Sequence, residues 1–111
     1  MCHGVEQPAA LEALERAREL REAAARCRHA YFEAWGEHLT RAAAYRAGAA
    51  LPVDHELVDI VAALGMKDLE ALVCLQEAAV AWRSGDLATS LTLAARTHAL
   101  WTASGWGSGA R

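Results

Sequence analysis

The chain has 111 residues, 54% of them hydrophobic, with 14 acidic and 11 basic side chains and a formal charge of −3. That length supports one domain with one modest core, and an acidic balance without a dense Lys/Arg cluster excludes nucleic acid as a partner. No apolar stretch reaches bilayer length and the start, MCHGVEQPAA, lacks the basic-then-apolar order of a secretory signal, so no membrane partner and a cytoplasmic location are expected.

Much of the hydrophobic share is alanine, which with Leu, Glu and Arg favours helix. No run alternates apolar with polar over a strand's length, and the expected fold is all-α. Residues 1–7 are expected to be disordered, residues 8–104 to form a single helical domain, and residues 105–111 to be a flexible tail.

Pro8 fits a first-turn position, and from there to Ala47 only Gly36 interrupts a helical pattern. Ala10, Ala13, Ala17, Leu20, Ala24, Cys27, Tyr31, Ala34 and His38 fall at alternating spacings of three and four. Charged residues such as Glu12 and Arg16, or Arg18 and Glu22, pair at i,i+4 on a solvated outer face. A continuous helix here extends roughly 60 Å, too long for the later helices to cover. Either it breaks near Gly36 or its stripe packs on another chain.

Gly48 and Pro52 end this section, and three shorter helices follow. Asp54 is suited to cap HELVDIVAAL, with Glu56 in its first turn, and Gly65 stops it. Asp68 is expected to cap LEALVCLQEAAVAWRS, which is apolar on almost every side and should be the central helix, with Trp82 in the core. Gly85 stops that helix, and Asp86 caps LATSLTLAARTHALWTAS.

Two phrases stand 37 residues apart, AAYRAG from Ala43 and VAWRSG from Val80. The match extends upstream, with Glu33 and Ala34 opposite Glu70 and Ala71. It extends downstream after a five-residue insertion around Pro52, with Asp54 opposite Asp86. A helix–turn–helix unit seen twice is the pattern of helical-repeat proteins. The second copy resembles a tetratricopeptide repeat: Gly85 and Asp86 stand at the turn, and Ser90 and Ala94 supply small residues in the second helix. It departs from that pattern in having Ala78 for a glycine, Glu77 for a leucine, Thr97 for a late alanine and no closing proline. The resemblance spans residues 30–103 and implies stacked hairpins that bind an extended or helical peptide; some very short members of the family serve as chaperones.

Groupings that could carry chemistry are sparse. His55 and Glu56 open HELVD, where Asp59 replaces the second His of a zinc-binding HExxH helix. Cys2, Cys27 and Cys74 are odd in number and widely spaced, which suits reduced thiols. Cys74 with His98 could be drawn as a catalytic pair, but a thiol in so apolar a helix is un-ionised and inert. No catalytic residue and no cofactor are therefore expected.

These readings converge on a small protein- or peptide-binding helical adaptor or chaperone-like module that self-associates as a homodimer. Its interface positions are taken to be Leu20, Tyr31, Trp35, Tyr45, Leu91, Trp101 and Trp106. One alternative is a helical bundle that binds a metal or small cofactor through His29 and His98 with cysteines. Another is a non-catalytic subunit of a larger complex.

Overall fold

The computed structural model describes the backbone of residues 3–103 and the side chains of residues 9–103. The described residues form four helices, α1 (His3–Arg46), α2 (His55–Leu64), α3 (Lys67–Ser84) and α4 (Leu87–Ala103), and no strand. One long helix followed by three shorter ones, packed together, is the architecture expected. The chain divides into two compact units, residues 1–30 and residues 31–111. Expectations for residues 105–111, Trp106 included, and for Cys2 fall outside the described residues.

Gly36 does not break α1. A single interior glycine costs about 1 kcal/mol relative to alanine, and the residues around it repay that by packing. Ala34 and His38 are buried, and Tyr31 and Trp35 pack partly buried against the core of their unit. The helix ends where Gly48 turns left-handed at φ 87°. There the amides of Gly48 and Ala49 donate back to the carbonyls of Tyr45 and Ala44.

Short-range chemistry sets the other boundaries. Asp54 accepts a hydrogen bond from the Leu57 amide at 2.9 Å, capping α2, which Gly65 closes in the left-handed region. Gly85 closes α3 in the same way, and Asp86 caps α4 by accepting from the Thr89 amide at 3.2 Å. The Thr89 side chain and amide together hold the Asp86 carboxyl below the usual carboxylate range. Asp68 is not a cap. The helix starts two residues earlier than expected, at Lys67 after Met66, and Asp68 lies in its first turn with Glu70, where acidic charge complements the amide dipoles.

Within residues 31–103, α3 is central, packed against both α2 and α4. Val61, Val73 and Cys74 are wholly enclosed, with Leu57, Val58, Leu69, Ala78 and Leu93 around them. Ser90 lets α4 approach closely and donates its hydroxyl to the Ala78 carbonyl at 2.9 Å. Thr97, also buried, bonds the Leu93 carbonyl at 3.0 Å.

Trp82 is not in this core: it is 67% exposed. The apolar run around α3 is real, but three directions are covered and one is open, and Trp82 lies on the open one.

Candidate functional site

Two carboxylates face inward from α3. Glu77, fully buried, accepts from Arg41 Nε at 2.9 Å and Nη2 at 2.6 Å, and from the Asp54 backbone amide at 2.9 Å. Arg41 Nη2 also donates to the Pro52 carbonyl at 2.7 Å. One ion pair thus ties α1, the Pro52 loop, the start of α2 and the centre of α3 together. Hydrogen bonding to Glu77 holds the Arg41 guanidinium still more firmly protonated than usual. A second buried acid, Glu70, accepts from Arg96 Nη2 at 2.7 Å and Nε at 3.1 Å, joining α3 to α4. These are structural pairs: each carboxylate is enclosed and engaged by a neighbouring arginine, which leaves neither open to a substrate.

The two repeated phrases meet. Arg83 Nη1 donates to the Tyr45 carbonyl at 2.8 Å, and its guanidinium carbon stands 3.4 Å from the centre of the Tyr45 ring. A cation is thereby placed at the C-terminal end of α1, where carbonyls lack helical partners, and over an electron-rich ring face. A shallow cavity lies beside this contact, lined by Tyr45, Leu51, Val80 and Arg83.

The far side of α3 is uncovered. Leu75 and Ala79 are each two residues from Glu77 and so lie across the helix from it; Leu72 and Trp82, five residues away, share that side. Leu75 is 44% exposed, while Leu72 and Ala79 are half-buried. On α4, Leu87 and Leu91 are exposed one turn apart. Four large apolar side chains of α3 and α4, Leu75, Trp82, Leu87 and Leu91, are thus left to solvent.

Residues 9–30 show a second uncovered stretch. No side chain there is buried, only Ala23 and Ala30 are half-buried, and Leu11, Leu14 and Leu20 are exposed, Leu20 by 71%. Glu15 and Arg18 form an ion pair on this helix.

The expected interface positions therefore separate. Leu20 and Leu91 are exposed, Trp101 is half-buried on α4, and Tyr31, Trp35 and Tyr45 are half-buried on α1. Tyr31 and Trp35 lie against their own unit's core, their rings edge to face at 6.3 Å. Trp82 and Leu75 are exposed as well, and a stripe of apolar residues at 72, 75, 79 and 82 was the available signal.

His29 and His98 are both exposed, on α1 and α4. Among the described residues no three of His, Cys, Asp and Glu are grouped to hold a metal ion. Cys27 is exposed and Cys74 buried, both as free thiols, and burial pushes the Cys74 thiol up. His38 is buried with Trp35 edge-on at 6.0 Å, and its Nδ1 has no hydrogen-bond partner among the described residues. Burial draws its imidazole below the ordinary value, and the charge of Glu77 offsets part of that shift. Among the described residues no helix is long and apolar enough to cross a membrane.

No protein-family model, no curated protein and no solved structure matches this chain.

Proposed function

We propose that this chain is a small helical protein-binding module, of the adaptor or chaperone-like kind, that takes a helix of another polypeptide onto an uncovered apolar face and self-associates as a homodimer. One observation carries this reading. The central helix, covered on three sides, presents Leu72, Leu75, Ala79 and Trp82 on its fourth, and Leu87 and Leu91 of α4 are also exposed. A helical hairpin buries its apolar faces by stacking on neighbours, and a stack that ends in leucine and tryptophan rather than in polar residues lacks the usual terminal cap.

Sedimentation velocity of the native chain and of the double variant Leu75→Glu/Leu91→Glu tests the reading. The native chain should sediment as a dimer at micromolar concentration. The double variant should sediment as a monomer with an unchanged far-UV circular dichroism spectrum, since both substituted side chains are exposed. A native chain that stays monomeric and co-purifies with no other protein in stoichiometric amount removes the proposal.

A further inference from the structure

The open face of α3 has a covered counterpart within the same chain. Displaced by 37 residues, Leu72, Leu75, Ala79 and Trp82 correspond to Trp35, His38, Ala42 and Tyr45 of α1. His38 is buried and the other three are half-buried. The aromatic pair makes the difference clear. The Tyr45 ring carries the Arg83 guanidinium at 3.4 Å, whereas the Trp82 ring, its equivalent, is 67% exposed. What α1 receives from α3, α3 should receive from a further helix: an apolar ridge at three-four spacing with an arginine beside it to lie over Trp82.

Residues 10–27 have that composition. Their three-four stripe is Ala10, Ala13, Ala17, Leu20, Ala24 and Cys27, and the residues directly flanking it are Ala9, Leu14, Arg16, Ala23, Arg21 and Arg28. Every charged flank is therefore arginine, while Glu12, Glu15, Glu19 and Glu22 lie further round the helix. Side chains at these flanking positions set partner choice between packed helices. Pairing this stripe with itself brings no opposite charge to either flank.

The α3 stripe is complementary. Continued towards its N-terminus at the same spacing, it begins at an exposed acid, Asp68. Residues 1–30 carry five acidic and five basic side chains, whereas residues 31–111 carry nine acidic and six basic, so the whole negative excess lies on the second unit. Arginine-flanked leucine and alanine on one surface thus answer leucine and tryptophan on a net acidic unit, and arginine stacks favourably on tryptophan.

We infer that residues 10–27 of one copy seat on the Leu72, Leu75, Ala79 and Trp82 face of a second copy, reciprocally, so that the homodimer forms by exchange between its two units. This rests on the proposed function and names the occupant of its open face. Reciprocity closes the assembly about a two-fold axis: each copy gives one stripe and receives one, which makes a heterologous pair of surfaces into a self-complementary interface.

Two single variants at exposed positions, Leu20→Glu and Trp82→Glu, test it by sedimentation velocity, alone and mixed, with circular dichroism as the check on folding. Each variant alone should sediment as a monomer, because both seams of its homodimer contain the introduced charge. The equimolar mixture should form a heterodimer, because the intact residues 10–27 of Trp82→Glu meet the intact α3 face of Leu20→Glu. That heterodimer should be weaker than the native dimer, being held by one contact of two. If Leu20→Glu remains a dimer, the α3 face pairs with something other than residues 10–27, and the exchange is overturned while the binding reading stands. If Trp82→Glu remains a dimer, residues 10–27 pair with themselves, and the exchange is again overturned. Two monomeric variants whose mixture stays monomeric also overturn it. A native chain that is monomeric removes the exchange, and with it the self-association in the proposed function.

Discussion

Residues 10–27 and 31–45 belong to one helix and share one apolar spacing, yet they have opposite surroundings. Ala34 and His38 are buried and Arg41 is enclosed with Glu77, whereas no side chain from residue 9 to residue 30 is buried. Periodicity thus identifies the face that needs covering without saying what covers it. In the second unit the cover is the chain's own α2 and α3. In the first the side chains stay uncovered from residue 9 to residue 30.

The comparison predicts that stability resides in residues 31–103, and the sharpest way to break it is at Arg41. Arg41→Ala leaves the Glu77 carboxylate enclosed with only the Asp54 amide for company. Removing one member of a buried pair costs about 3–5 kcal/mol, which urea denaturation followed by circular dichroism would register as a large fall in midpoint. Replacing both partners with apolar residues, Arg41→Met with Glu77→Leu, should restore most of the loss, since no charge is then stranded. A loss of unfolding free energy under about 1 kcal/mol for Arg41→Ala, well below the cost of breaking a buried pair, would mean that the pair does not hold the unit together.

That ion pair was illegible in the sequence, and the reason is distance along the chain. Helix limits follow from residues within one turn of each other, so Asp54, Asp86, Gly65 and Gly85 could be read directly. Asp68 misled because a good capping residue one place inside a helix looks the same as one at its edge. Glu70 and Glu77 find their partners 26 and 36 residues away, and a glutamate in a helix reads as solvated until that partner is known. Trp82 failed for a related reason: an apolar run shows that a helix is largely enclosed, not which direction stays open. Periodicity did not tell exposed from enclosed positions on the candidate surface: of the residues chosen for an interface, Leu20 and Leu91 are exposed, while Tyr31 and Trp35 turn to their own core.

A smaller effect, confined to the second unit, should appear as pH is lowered. Burial draws the His38 imidazole below its ordinary 6.5, so the unfolded chain takes up a proton first as pH falls. The unfolded state then binds more protons than the folded one, and stability must fall with pH through that window. The contribution is full above 6.5, is lost as pH descends towards the lowered folded value, and levels once both states are protonated. Thermal melts at neutral and mildly acid pH should therefore converge in His38→Asn relative to the native chain. Equal acid sensitivity in the two would assign the loss to other groups.

The least effect on folding is expected at Leu14, and that is its value to the comparison. A leucine enclosed in the core loses packing and leaves a cavity when cut to alanine; Leu14, 67% exposed, loses neither. Leu14→Ala should change unfolding free energy by no more than about 0.5 kcal/mol, measured on protein dilute enough to be monomeric. In the proposed dimer the same residue lies on the flank of the 10–27 stripe, so sedimentation at micromolar concentration should show weaker association. A leucine whose removal spares the monomer and weakens the dimer is one that the fold does not use and the interface does. A loss of monomer stability comparable to a core truncation would place Leu14 against its own chain, and the contrast between the two stretches of α1 would disappear.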